Sequence, residues 1–338
     1  MGRVQHYVPQ FYLKNFSENN KTIVQYILKS KIYVEFAPIK KIAASDFLYG
    51  EDDKLEHELV PHEGEWARIV AALLNGNAAG LNLIDYGSFL LFITNMWSRT
   101  LKAADYCNNL TDAVWKRLLH KKQDKGNFPE IDVEELQISQ KIPNKPMMFL
   151  GSRFAYLLRD LEYLCIINES NTDIITTDSP VVLYNQFCTF RNTTQNQTFS
   201  ALGLQLFIPL SPKMCICLFD KNVYKISGIS QVGTITIQSD EEINKLNTLL
   251  ALNAFQFIYS KKSSKDYLEK ISERHQIYTE QIPEPDMQFS FVEILPRFVR
   301  YRIPQTQEKW IRPTCRDYAA KMVEEIERVM AKAFAENE

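Results

Sequence analysis

Six short apolar runs, LCIIN, DIITT, VVLYN, LQLFIPL, MCICLF and VGTITI, follow one another between residues 164 and 237. Each is too short for a buried helix, is rich in Ile, Val, Leu or Phe, and is bounded by Asn, Asp, Ser or Pro. The group therefore reads as buried strands of one sheet. A helical pattern, DEEINKLNTLLALN, comes next with Asp240 as its expected N-cap, and AFQFIYS returns a last strand to that sheet.

The chain ahead of this block has a different period. It opens on QHYVPQFYLKNF, where Pro9 fits the first turn of a short helix and Tyr12 and Phe16 share a face. TIVQYIL and KIYVEF, separated by Lys29-Ser30-Lys31, read as a β-hairpin. PHEGEWARIVAALLNG is an amphipathic helix with Pro61 near its start and Asn75-Gly76 as its stop. Helical patterns continue from Asp85 to about His120 and from Lys145 to about Leu164, joined by a polar connector with a short acidic helix.

The expected fold class is α+β: a helical N-terminal half with a small β-hairpin, packed on a mixed or antiparallel sheet built mainly from residues 163–260, plus a C-terminal helical extension. Residues 1–260 make one domain, helical over about 50–165. Residues 261–338 are an appended region with the Pro-rich EQIPEPD and a terminal helical pattern, DYAAKMVEEIERVMAKAFA.

With 39 Lys and Arg against 41 Asp and Glu, the formal charge is −2, so no global field draws the chain to nucleic acid or an anionic membrane. The basic run Lys116, Arg117, His120, Lys121 and Lys122 suits the negative pole of a helix. LIDYGSFLLFITNMW is interrupted by Asp85 and Asn95 before it reaches membrane-spanning length, and no apolar leader follows Arg3. The expected location is the cytoplasm, where six scattered cysteines are reduced thiols rather than a disulfide framework.

Several motifs are excluded by spacing. HELVPH puts its second His five residues after the first, off the face a zinc-protease helix needs, with Pro61 between. Cys215-Ile216-Cys217 suits two small apolar residues in a core strand better than a metal pair. GxGxxG, GxxxxGK[ST] and GxSxG are absent.

The remaining candidates are polar residues on separate elements. Glu56 and Glu63, like Glu58 and Glu65, are seven apart and would share a face of an unbroken helix, which Pro61 argues against. Such acids either solvate a helix start or hold a divalent ion and do acid–base work. Arg99 either pairs with them or binds a phosphate or carboxylate. Asp178, ahead of Ser179-Pro180, either caps the turn or faces a cleft, while Ser211-Pro212 is a plain turn signal. His6 and Gln10 either edge a core or are carried to a site by their apolar neighbours.

HYVPQFYLKNF, DFLYG, the Glu56 to Glu63 segment, Arg99 closing an apolar helix, ITTDSPVVLYN and IPLSPK together resemble the family called domain of unknown function 4238, over about residues 5–260. His6, Pro9, Tyr12, Leu13 and Phe16 match the family's opening H-x-x-P-x-x-Y-L-x-x-F. Thr177, Asp178 and Pro180 match its T-S-D-N-P turn loosely, since Thr176 and Ser179 vary. The family's acidic pair falls on Glu56 and Glu63 and its helix-ending Arg on Arg99, with Pro61 as a departure.

Two readings stay open. In the first the chain is a hydrolase with His6, Glu56, Glu63 and Asp178 as catalytic residues. Glu56, Glu63 and Asp178 hold Mg or Mn, His6 is general acid or base, and Gln10 and Arg99 bind a nucleic acid or nucleotide. That describes a nuclease or phosphodiesterase, by analogy a bacterial defence effector. In the second it is a non-enzymatic protein-binding module, in which His6 and Asp178 are buried partners that lock the N-terminal segment onto the sheet.

Overall fold

The computed structural model describes residues 4–50, 54–76, 81–124, 131–186, 198–226, 230, 233–281, 298–300, 311–315, 318 and 321. Strand β1 (Val4–His6), helix α1 (Gln10–Lys14), the hairpin β2 (Thr22–Ile27) and β3 (Ile32–Pro38), and β4 (Ala44–Asp46) come first. Helices α2 (Lys54–Leu74), α3 (Leu83–Ser98), α4 (Leu101–Gln123) and α5 (Asn144–Leu157) follow. Then come β5 (Glu162–Asn168), β6 (Thr176–Thr177), β7 (Val182–Tyr184), β8 (Gln205–Ser211), β9 (Met214–Phe219), β10 (Tyr224–Ile226) and β11 (Thr234–Ile237). Helix α6 (Asp240–Asn253), β12 (Phe257–Ser260), α7 (Lys265–Gln281) and β13 (Phe298–Arg300) complete the described elements. The class is α+β.

The apolar runs do form strands, but they divide between two sheets rather than building one. Five line up as β11-β5-β9-β8-β7, with only the β11–β5 pair parallel. Alternate residues of these strands face two different cores: Cys165, Leu206, Ile208, Ile216 and Leu218 look toward the helices, while Leu164, Ile166, Phe207, Cys215 and Cys217 look toward α6. With both faces buried, the strands show no polar alternation.

DIITT and AFQFIYS go elsewhere. Strands β6 and β12 join the hairpin in the order β3-β2-β12-β6, where Ile258 pairs Tyr26 on one side and Thr177 on the other. The opening segment links the two sheets. The Tyr12 hydroxyl lies 2.7 Å from Thr176 Oγ1 in β6 and donates to the Pro209 carbonyl in β8, also at 2.7 Å. Leu13 and Phe16 are fully buried beside it.

Pro61 lies inside α2 and not near its start, and the helix continues through it. Leu59, Trp66, Ile69, Val70 and Leu73 face the core. Glu56 and Glu63, two turns apart, share one face of α2 that flanks this buried stripe. The pattern from Asp85 to His120 is two helices. Arg99 is the C-cap of α3 and Thr100 the N-cap of α4, its side chain accepting from Ala103 N. Asn144 Nδ2 donates to the buried carbonyls of Arg99 and Thr100 at 2.9 and 3.2 Å, so the break is satisfied.

Smaller expectations change too. Helix α5 ends at Leu157, because β5 begins at Glu162. A turn at Val133–Glu135 stands where a short acidic helix was expected. Ser239, not Asp240, caps α6; the Asp240 carboxylate instead accepts from Thr172 N at 2.8 Å. Cys188 and, apart from Tyr318 and Lys321, the terminal helical pattern lie outside the described residues. The five described cysteines are free and buried. Among the described residues, no helix is long and apolar enough to cross a membrane.

Candidate functional site

Arg99 is the hub of the N-terminal half, with 1% of its surface exposed. Its Nε donates to the Tyr49 hydroxyl at 2.8 Å and its Nη1 to Glu63 Oε1 at 2.6 Å and Asn95 Oδ1 at 3.4 Å. Its Nη2 donates to the backbone carbonyl of His6. Burial works against the guanidinium charge, but Tyr49 and Glu63 outweigh it and push the pKa above its ordinary value. The Tyr49 hydroxyl also donates to the His6 carbonyl, at 3.1 Å, and burial raises it to about 12. Gln5 Oε1 accepts from Tyr49 N at 2.8 Å, so β1 is fixed at two successive residues.

This network forms one side of an open cavity of about 320 Å³. His6, Pro9, Gln10 and Phe11 line it from the opening segment; Glu56, Glu63, Gly64 and Ala67 line it from α2; Arg99 lies beside them. His6 is half-buried, and its Nε2, shielded from solvent, has no hydrogen-bond partner among the described residues. Burial is the main reason its pKa falls below 6.5, with Arg99 pushing the same way and the Ile39 backbone and Glu63 opposing. His6 is therefore neutral near pH 7.

Five of the six residues singled out in the sequence, His6, Gln10, Glu56, Glu63 and Arg99, line this one cavity. Asp178 does not. Its two carboxylate oxygens accept from Phe255 N at 2.8 Å and Gln256 N at 2.7 Å, so it caps the distant turn between α6 and β12 and neither its own Ser179-Pro180 turn nor a cleft. Burial raises its pKa to about 6 against the pull of those amides and of Lys102. Lys102 Nζ donates to the carbonyl and side chain of Asn253 at 3.0 and 2.9 Å, and burial lowers it to about 8.

Two expectations about Asp178 are corrected by this placement. The set Glu56, Glu63 and Asp178 does not converge, and among the described residues no group of three His, Cys, Asp or Glu side chains is placed to hold a metal ion. Nor are His6 and Asp178 partners. The Asp178 charge acts instead on Tyr7, next to His6, and on Tyr259, where together with burial it raises both phenols.

Sequence reasoning missed Tyr49, Asn95 and Gln5. Tyr49 stands in the quoted DFLYG, Asn95 one helical turn before Arg99, and Gln5 beside His6. The bonds of Tyr49 and Gln5 are long-range, which local pattern does not encode, whereas the Asn95–Arg99 contact is an i,i+4 pair that helical spacing does encode.

No curated protein and no solved structure matches the chain. A family model described as protein of unknown function (DUF4238) matches residues 4–264, a range that holds β1, the DFLYG turn, α2, the α3–α4 break and the TDSP turn. The match covers more than half of the 338 residues, and the chain belongs to the DUF4238 family.

Proposed function

We propose that the cavity is a ligand site with acid–base chemistry, and that the protein is a hydrolase in which His6 is the general base. The observation that carries this reading is a neutral imidazole beside a cavity wall that also carries two glutamates, its Nε2 shielded from solvent and without a partner among the described residues. A neutral imidazole can take a proton from an attacking water near pH 7. Glu56 and Glu63 supply carboxylates that orient that water or the substrate's N–H and O–H groups. Gln10 offers both a donor and an acceptor.

Arg99 is a positioning residue in this scheme. A guanidinium has five N–H donors, and four of those of Arg99 are engaged by Tyr49, Glu63, Asn95 and His6. It fixes the β1 backbone against α2 and thereby the spacing of His6 from Glu63. Its charge is met by Glu63, so the cavity favours neutral or cationic substrates over a bare phosphodiester. Nuclease or phosphodiesterase activity is the variant that requires Mg or Mn, with Glu56 and Glu63 as the carboxylates on hand.

The test is a hydrolysis screen over ester, amide, N-glycosidic, nucleotide and nucleic-acid substrates, with EDTA, Mg or Mn. Wild type is compared with His6→Asn and Glu56→Gln, each checked for an unchanged melt. His6→Asn is expected to lower turnover by about 100-fold or more. Undiminished turnover in both folded variants would remove the cavity as the active site. Absence of turnover in every arm would favour the binding-module reading.

A further inference from the structure

Strand β3 ends the four-stranded sheet, and no other described strand pairs with its outer side. It has seven residues, whereas no other sheet edge among the described strands exceeds the four of β11. The edges formed by β6 and β7 are also buried. Around β3 the surface is open: Lys29 to Ile32, Glu35, Phe36 and Pro38 are all exposed, with Ile32 at 51% and Phe36 at 66%. A long open edge is a template for another strand.

The pairing of its neighbours fixes which peptide groups of β3 are free, because these groups point alternately to the two sides of a strand. Leu28 N donates to Gln256 O at 3.0 Å, so the peptide groups of Leu28 and Tyr26 face β12 and those of Ile27 and Gln25 face β3. Ile27 pairs with Ile32 and Gln25 with Val34. The N–H and C=O of Ile32 and Val34 are therefore taken by β2, and those of Tyr33 point away from the sheet.

The charges on this edge are self-complementary. Lys31 and Glu35 lie two residues to either side of Tyr33. An antiparallel copy of the strand, related by a two-fold axis at Tyr33, exchanges two N–H···O bonds between Tyr33 and the partner's Tyr33. That register sets Lys31 opposite the partner's Glu35 and lays the exposed Ile32 against the partner's Val34. Moving the axis to Glu35 would oppose two carboxylates, and moving it to Lys31 two ammonium groups in a turn. A bulge between Val34 and Ala37 ends the straight edge just beyond Glu35. With β6 only two buried residues long at the far edge, the pairing closes as a dimer and does not propagate.

We infer that β3 is a dimerisation strand, on which a second copy of this chain pairs antiparallel about Tyr33 and makes the two four-stranded sheets continuous. The inference goes beyond the cavity and does not depend on the chemistry done there. A contact of one short strand is a small interface, so the expected affinity is micromolar.

Analytical ultracentrifugation of the full chain from about 1 to 500 µM tests it, spanning that affinity range. Wild type should pass from monomer to dimer. Glu35→Lys and Lys31→Glu each place like charges opposite one another twice per dimer, and each should weaken association 10-fold or more with an unchanged melt. The double variant Lys31→Glu/Glu35→Lys restores opposite charges and should return to within about 3-fold of wild type. Hydrogen exchange reads the register: at the highest concentration the Tyr33 amide should exchange at least 10-fold faster in Glu35→Lys than in wild type, while the Val34 amide, bonded to β2, does not change.

A monomer at every concentration, an assembly that grows beyond the dimer, a dimer indifferent to either single reversal, or a double variant as weak as the single ones would overturn the inference. So would a Tyr33 amide that exchanges equally in wild type and Glu35→Lys.

Discussion

The Tyr49 hydroxyl joins Arg99 to the His6 carbonyl, and Tyr49→Phe removes both hydrogen bonds while keeping the ring. It leaves a buried guanidinium N–H without an acceptor, so the loss should be about 1–3 kcal/mol in urea unfolding. Arg99→Met goes further, removing the guanidinium from Glu63, Tyr49, Asn95 and the His6 carbonyl together. Glu63 is partly exposed and can regain water, so we expect about 2–4 kcal/mol, below the upper range for a fully buried pair. Asp178 gives a pH signature. Its carboxyl is raised from 3.8 to about 6 in the folded chain, so between those values the folded state holds a proton that the unfolded state has released. Its contribution to stability therefore falls as pH rises through that window, by about 3 kcal/mol in all. Urea midpoints at pH 4.5 and 6.5 measure this, and Asp178→Asn should flatten that part of the slope. Lys102 acts in the other direction: with its folded pKa lowered to about 8, its contribution rises from there toward its ordinary 10.5.

At the scale of elements, helix and strand periods were legible in the sequence and partner choice was not. FQFIYS and LQLFIPL have the same apolar, β-branched and aromatic character, yet the first joins the hairpin and the second the five-stranded sheet. Register is decided by pairing across more than two hundred residues, as between Ile258 and Tyr26. Pro61 misled for a related reason. The local rule ends a helix, but the buried stripe from Leu59 to Leu73 holds α2 together through it. The same stripe, by facing the core, leaves Glu56 and Glu63 on the cavity side. Gly151 marks a close approach of α3 and α5. Gly151→Ala would press a methyl into Ser98 and the Thr94 carbonyl, costing about 1–3 kcal/mol in thermal or urea unfolding. Gly64→Ala should instead gain about 0.5–1 kcal/mol, since it meets open space.

For the whole molecule, residues beyond the family match are built into the fold. Arg312 is 1% exposed, and it donates to the carbonyls of Leu157, Ala201 and Phe199 and to the Asp160 carboxylate. Ile311 bridges Ala201, β13 pairs with β10, and Tyr318 stacks on Tyr156 at 4.3 Å. A chain cut at residue 264 should therefore melt well below the full protein, and Arg312→Ala should reproduce much of that loss; equal melts would make the extension a separate unit. Its described anchors are single residues without periodicity, so local pattern does not reveal them. The opening segment, by contrast, shows its role in its own pattern: Tyr12, Leu13 and Phe16 seat it between the sheets, and His6 reaches the cavity as a result. The most direct check of that account is the imidazole titration of His6 by NMR on histidine-labelled protein. His6 should titrate below 6.5, and Glu63→Gln should lower it further by removing the charge that favours its protonated form. A midpoint at or above 6.5, or one indifferent to Glu63, would contradict a neutral general base at the cavity wall.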